Sequence, residues 1–233
     1  MGKAAFALNL ASHHCKLGGS VQLFSLEMSV KPLLQRMISS EALVDGQKWR
    51  TMKFSNQDYL DTIDVVGPIS EWHLKIDTKS RTVSDIRAKI RSTLETAKNK
   101  RHLVIIDYLQ LISSTTRFER RDLEIGNITR ELKLLALELD IPIILLSQLS
   151  RNVEQRQNKR PLLSDLRESG NIEQDADMIA FLYREDYYKW HQNSNKIELI
   201  IGKQRNGPVG KVDLHFEKEY GKFNGNVHNA VLN

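Results

Sequence analysis

One pattern constrains the fold of this chain more than any other. Short apolar runs that end in a polar residue alternate with stretches of helical spacing. The runs are Val21 to Glu27, His73 to Asp77, Leu103 to Asp107 and Pro142 to Gln148. Residues 3–17 read as a helix of mostly small or apolar side chains, stopped by Gly18-Gly19. Lys31 to Val44 and Asn56 to Val66 read as two further helices, and Ser84 to about Lys98 as another. Arg87 in the first turn of that last helix argues against an ideal N-terminal cap. Ile125, Ile128, Leu132, Leu135 and Leu139 recur at alternating spacings of three and four, which places them on one helical face. Strands that alternate with helices predict a parallel sheet covered by helices on both faces. The end of the chain changes character. Met178 to Arg184, Lys196 to Lys203 and Lys211 to Lys218 read as strands, with a tight turn at Asn206-Gly207-Pro208. The expected fold is α/β, a mostly parallel sheet flanked by helices with a C-terminal antiparallel strand extension.

Length and composition narrow the function classes. The 233 residues suit one domain, 1–233. Cys15 is the only cysteine, so no disulfide forms within the chain, and a reducing, cytoplasmic setting is expected. No apolar run approaches the ~18 residues of a membrane span. Ser12, His13, His14 and Lys16 interrupt the first apolar stretch, unlike a secretory signal. The net charge of +5 fits contact with a polyanion without proving it. Between Ser113 and Arg121, and again between Ser150 and Asn171, the chain is polar and charged, as loops are.

In open parallel sheets, ligands bind outside the carboxyl ends of the strands. The polar groups there are Glu27, Asp107, Ser147 and Gln148, with Lys203, Gln204 and Arg205 on a later strand. Singly, each has a plainer reading. Asp107 can start a turn, Glu27 and Gln148 can be solvated, and Lys203 and Arg205 suit a hairpin surface. As a set they meet the needs of nucleotide hydrolysis. That chemistry takes an acid to hold Mg²⁺, a second acid to activate water, a polar sensor and a cation for developing charge. Asp107, Glu27, Gln148 and Arg205 supply these in that order. A phosphate-binding loop, G-x-x-x-x-G-K-[ST], is represented only by the opening Gly2-Lys3-Ala4, and Gly-Lys alone is too common to argue from.

Six segments in order carry a family resemblance: Met1–Asn9 (MGKAAFALN), Phe24–Ser29 (FSLEMS), Val104–Leu111 (VIIDYLQL), Leu146–Arg151 (LSQLSR), Arg167–Asp177 (RESGNIEQDAD) and Lys203–Gly210 (KQRNGPVG). Together they resemble the C-terminal RecA-like motor domain of the DnaB-type replicative DNA helicases, a P-loop NTPase, over nearly the whole chain. The resemblance implies an ATP-dependent, Mg²⁺-requiring motor. It forms a homo-hexamer around single-stranded DNA, moves 5′ to 3′ and unwinds duplex during replication, with primase and a helicase loader as partners. It implies that Gly2, Lys3 and Ala4 lie in the phosphate loop, with Lys3 on the β- and γ-phosphates. Glu27 would polarise the attacking water, Asp107 hold Mg²⁺ and Gln148 report the γ-phosphate. Arg205, with Lys203 beside it, would be an arginine finger reaching a neighbouring subunit's site. Arg167, Glu168 and Gly170 match the segment that contacts DNA phosphates. Arg117–Arg121, with Phe118, is a second channel-loop candidate, and Tyr183 and Arg184 are candidates near the nucleotide base. A RecA-like recombination or circadian-clock ATPase shares the fold, but RESGNIEQDAD and KQRNGPVG favour the helicase branch.

Two departures from the family pattern bear on activity. Ala4 stands where the family has Thr or Ser, whose hydroxyl is a Mg²⁺ ligand. The resemblance also places the chain's opening inside the phosphate loop. The first core strand is therefore expected to be missing, as are the family's N-terminal domain and linker. The alternative expectation is a catalytically impaired remnant that binds nucleotide or DNA without turnover.

Overall fold

The computed structural model describes residues 2–98, 100–166, 169–188 and 194–232. The alternating first part forms a four-stranded parallel sheet from β1 (Ser20–Ser25), β2 (His73–Asp77), β3 (His102–Asp107) and β4 (Ile143–Leu145). Its order is β2-β1-β3-β4, every pair parallel. Around it run α1 (Lys3–Lys16), α2 (Val30–Ala42), the single-turn α3 (Lys48–Thr51), α4 (Asn56–Ser70), α5 (Val83–Thr96) and α6 (Arg121–Leu139). After α7 (Ser169–Asp175), the chain closes with an antiparallel sheet, β5 (Met178–Tyr183), β6 (Lys196–Gln204), β7 (Gly210–Glu217) and β8 (Lys222–Leu232).

Successive strand residues point to opposite faces, so both faces of a buried strand must be apolar. Val21 and Leu23 of β1, with Leu103 and Ile105 of β3, face Ala7, Leu8, Ala11 and Cys15 of α1 and Leu33 and Met37 of α2. Phe24, Val104 and Ile106 face the other way, onto Val83, Ile86 and Ile90 of α5 and Ile125, Ile128, Leu132 and Leu135 of α6. The periodic stripe expected on α6 is thus its buried face. Gln22, the one long polar side chain inside β1, is matched by Thr93, whose hydroxyl donates to Gln22 Oε1 at 2.6 Å.

Several local expectations need correcting. The α5 cap is well formed: Thr82 accepts from the Asp85 amide, and Asp85 returns a bond to the Thr82 amide. That reciprocal arrangement satisfies two helix-end donors, and it lies ahead of Ser84, the expected start of the helix. The run Pro142–Gln148 is a strand only over Ile143–Leu145, so Ser147 and Gln148 lie beyond its end. The stretch from Ser150 to Asn171 is partly built, with single 3₁₀ turns at Arg151–Gln155 and Leu163–Asp165 and the start of α7. Strand β8 and the short α3 have no counterpart in the sequence reading. The β8 sequence, KFNGNVHNAVL, holds two asparagines and a glycine in its first half and lacks clean alternation.

The two sheets meet at α1. Asn9 donates from Nδ2 to the Gly221 carbonyl at 2.9 Å and accepts from the Phe223 amide at 3.0 Å. The Phe6 ring packs edge-on against Phe223 with centroids 5.1 Å apart. On the other side, α7 crosses α6 closely. A Cβ on Gly126 would lie 2.1 Å from the Asn171 side chain, so only glycine permits that approach without a shift. Among the described residues, β4 and β5 each have a strand on one side only, and the two sheets are not joined.

Candidate active site

Three segments converge at the carboxyl end of the parallel sheet. Strands β1 and β3 end side by side, with Ser25 opposite Asp107. The Leu26 amide donates to the Asp107 carbonyl at 2.8 Å. The Ser25 hydroxyl donates to the Met28 carbonyl at 3.0 Å and accepts from the Met28 amide at 3.3 Å. These bonds hold the turn that carries Glu27 next to Asp107. Glu27 is exposed, as a group that activates water needs to be, whereas Asp107 is buried at 6% exposure.

The third segment is the start of α1. Gly2 is its N-cap at φ +92°, in the left-handed region that a side chain disfavours. Among the described residues no side chain caps α1, and its first turn holds no acid. Its leading amides therefore have no partner within the helix, and with the helix dipole they favour an anion. Lys3 sits in that turn. Burial holds its ammonium below the usual lysine range, while the charges of Asp107 and Glu27 pull it back up. Burial pushes the Asp107 carboxyl up, the nearby Glu27 charge pushes it further, and Lys3 and Arg36 oppose both. The ionised Asp107 is thus under-compensated, a situation a divalent cation relieves. A carboxylate oxygen is also the donor a hard cation such as Mg²⁺ prefers. Ala4, one residue along α1, presents a methyl group and no oxygen donor.

Gln148 lies half-buried just past β4, beside the same sheet end. Its amide donates to Gln110 Oε1 at 3.3 Å, and Gln110 Nε2 donates to the Ser147 hydroxyl at 3.0 Å. Lys203 and Arg205 belong to a different part of the molecule, at the end of β6 against α7. Arg205 pairs with Asp177 at 3.0 Å, and its own amide donates to the Asp177 carbonyl at 2.8 Å. Asp177 is shared with Lys133, and Lys203 bonds the Glu173 carbonyl at the end of α7. The Arg205 side chain is half exposed. The structure therefore brings Lys3, Glu27, Asp107 and Gln148 to one sheet end and sets Lys203 and Arg205 on the second sheet.

Arg167 and Glu168 lie outside the described residues. Gly170 is exposed in the first turn of α7. In the loop before α6, Arg117 is exposed and Phe118 half-buried, while Arg121 is drawn back to Glu124 at 2.6 Å and to the Gln110 carbonyl at 2.8 Å. Tyr183 is buried, with the Arg160 guanidinium 4.9 Å over its ring. Arg184 pairs with Asp186 at 2.9 Å and lies 5.6 Å over the Phe216 ring. Both are thus engaged within the second sheet's own packing. Three residues went unremarked as site residues in the sequence: Arg36 on α2, Gln110, and Asp177. Arg36 gives no local signal. Gln110 and Asp177 stand inside quoted segments, but nothing local says that one braces Gln148 and the other Arg205.

With this geometry in place, comparisons with known proteins are specific. Residues 1–225 match the family model described as the DnaB-like helicase C terminal domain. The chain is 52% identical over 227 residues to the replicative DNA helicase DnaB of Geobacillus stearothermophilus, covering 96% of this chain and 50% of that protein. It is 50% identical, with the same coverage, to the replicative DNA helicase DnaC of Bacillus subtilis (strain 168). The chain thus spans about half the length of the curated relatives it matches. Among solved structures, one described as an ATPase domain superposes with a TM-score of 0.92 at 46% identity, covering 96% of this chain and 80% of that one. "The Structure Of A DnaB-Like Replicative Helicase And Its Interactions With Primase" also superposes at 0.92 and 46%, covering 96% of this chain and 54% of that one. The fold is accordingly RecA-like, and the chain belongs to the DnaB-like helicase C-terminal domain family.

Proposed function

We propose that this chain is the ATP-hydrolysing motor of a replicative DNA helicase that works as a ring, a homo-hexamer, moving 5′ to 3′ along single-stranded DNA. The observation that carries the reading is the meeting of Lys3, Glu27 and Asp107 at one sheet end, in a chain of this family. Gly2, the first-turn amides of α1 and Lys3 hold the β- and γ-phosphates. Asp107 holds Mg²⁺, which when bound spreads and neutralises the phosphate charge. Glu27, exposed beside Asp107, orients and deprotonates the attacking water. Gln148 senses the γ-phosphate. Arg205 and Lys203 lie apart from this cluster on the second sheet, an arrangement that suits delivery to a neighbouring subunit. A cation supplied that way contributes about 10³–10⁵ in rate. Arg167, Glu168, Gly170 and the Arg117–Arg121 loop track the DNA backbone by charge and amide contacts without reading bases. The setting is the cytoplasm, and primase and a loader are the protein partners. Among the described residues no helix is long and apolar enough to cross a membrane. The test is single-stranded-DNA-stimulated ATP hydrolysis by the complete protein. Stimulation is expected, and it disappears in Arg205→Ala. A folded protein that hydrolyses no nucleotide with or without DNA defeats the reading.

Ala4 supports a second reading, a catalytically impaired member that binds nucleotide or DNA and turns over slowly or not at all. A lost bond to a charged partner costs about 1.5–3 kcal/mol, which is about ten- to a hundredfold in rate. Ala4→Thr, which restores the hydroxyl, is expected to raise turnover by about that factor. An unchanged rate separates the defect from the missing oxygen.

A further inference from the structure

The strand end that carries Gln148 and the loop that precedes α6 are both fastened to one residue, Gln110. This residue occupies the 3₁₀ turn Leu109–Leu111, just after Asp107. The turn is stapled to Leu146, the residue after β4, since the Leu109 amide donates to the Leu146 carbonyl and the Leu146 amide to the Ile106 carbonyl, both at 2.9 Å. The half-buried Gln110 amide group then makes two bonds to consecutive residues. It accepts from the Gln148 amide at 3.3 Å and donates to the Ser147 hydroxyl at 3.0 Å. That hydroxyl is 3.3 Å from the Gln148 carbonyl, so the Gln148 backbone is held on both sides. The Gln110 carbonyl meanwhile accepts from Arg121 Nη2 at 2.8 Å, and the same nitrogen lies 3.3 Å from the Ile112 carbonyl. Arg121 Nη1 pairs with Glu124 at 2.6 Å, and the other Glu124 oxygen accepts from the Ser114 amide at 3.0 Å. Arg121 and Glu124 thus close the two ends of the 113–121 loop onto Gln110.

We propose that Gln110 is a positioning residue that sets the backbone of Gln148 and couples its position to the 113–121 loop. This rests on the motor reading given above, in which Gln148 meets the γ-phosphate and the loop meets DNA. The coupling is physical and local. A shift of Gln148 breaks or drags two bonds to the Gln110 side chain, and the Gln110 carbonyl is the anchor of the cation that shapes the loop base. Gln110 touches neither phosphate nor DNA in this scheme, so its loss acts on communication rather than on nucleotide affinity.

The test uses the complete protein with Gln110→Met, which keeps side-chain length and removes both hydrogen bonds. Hydrogen exchange at the Gln148 amide is expected to speed up by about five- to tenfold, the scale of one lost bond. The ratio of DNA-stimulated to basal ATP hydrolysis is expected to fall by a similar factor, with KM for ATP within about twofold of the parent, since the phosphate ligands are untouched. Gln110→Glu keeps the acceptor for the Gln148 amide and replaces the donor to Ser147 with an oxygen that can accept from the hydroxyl, and is expected to restore the slow exchange. Unchanged exchange at Gln148 in Gln110→Met overturns the proposal, and so does an unchanged stimulation ratio in a parent that responds to DNA. A parent with no DNA response sinks the motor reading instead, and the exchange measurement then decides the positioning role by itself.

Discussion

Asp107 concentrates the conflict between stability and function in this chain. In its proposed role it must be ionised to hold a metal, yet burial and the Glu27 charge raise its carboxyl above the ordinary range, against the pull of Lys3 and Arg36. An acid whose folded pKa is raised costs stability at any pH above that value, because there the ionised form is penalised only in the fold. The penalty is relieved as the pH falls through the raised value. Asp107→Asn removes the charge while keeping the shape. In metal-free solution at neutral pH, its melting temperature is expected to equal or exceed that of the parent, while ATP hydrolysis is lost. A clearly lower melting temperature would show that the carboxylate is well compensated and the electrostatic argument wrong. Lys3 shows the mirror situation, a half-buried ammonium held below its usual range by burial and drawn back up by the charges of Asp107 and Glu27. Each is partly stabilised by the other, so the groups proposed to bind phosphate and metal are set by one electrostatic balance.

At the scale of elements, the clearest local device is the start of α4. Ser55 and Asp58 form a reciprocal cap, and Lys48 from α3 donates to both Asp58 oxygens at 2.8 and 2.6 Å. Lys48 and the Ser55 bonds lower the Asp58 carboxyl from the ordinary 3.8 to about 2. The sign follows from linkage. An acid depressed in the fold contributes fully above its unfolded value, and the contribution is lost as the pH falls through the folded value. Loosening of α3 and α4 is therefore expected between about pH 4 and pH 2, and Asp58→Asn should remove that part of the acid response. Amide exchange over residues 55–60 checks this. An identical acid profile in the variant would mean that other carboxylates govern the region. The rest of α4 contributes little to the core. Asp58 is its one buried residue, and Tyr59, Leu60, Ile63 and Val66 are exposed. Its place in the fold depends on the cap and on packing with α2 more than on an apolar face turned inward.

For the whole molecule, the proposed role of Arg205, set on the second sheet while Lys3 lies at the end of the first, would make hydrolysis a property of an assembly. Arg205 is held by Asp177 at the edge of the second sheet, and Lys3 lies at the end of the first. A closed ring of identical chains sets one face of each against a different face of the next. Lys3→Ala and Arg205→Ala chains, each inactive alone, are therefore expected to recover turnover when mixed, because some interfaces then pair an intact Lys3 with an intact Arg205. The check is ATP hydrolysis against mixing ratio. No recovery at any ratio, with mixed assembly verified, would place both groups in the same site.

Sequence alone determined the order of strands and helices in the parallel half, because a strand buried on both faces must be apolar throughout and an amphipathic helix must show its stripe. The runs ending in Asp107 and near Glu27 and the stripe from Ile125 to Leu135 are local facts, legible without neighbours. Glu27, Asp107 and Gln148, which the structure gathers at one sheet end, were legible as candidates for the same reason, since strand ends of such a sheet are where ligands sit. Tertiary structure decided what depends on contacts between distant segments. It showed that Asn9, read as part of a helix and of the opening motif, ties the last hairpin to α1, because a side-chain amide is read by what lies 212 residues away. It showed that Gln110 braces Gln148 across 38 residues and that Asp177 holds Arg205. It also showed β8, whose polar, glycine-containing sequence becomes a strand through pairing with β7 rather than through its own pattern. Burial patterns are written locally and survive in the sequence, whereas hydrogen-bond partners are chosen by the fold and appear only with it.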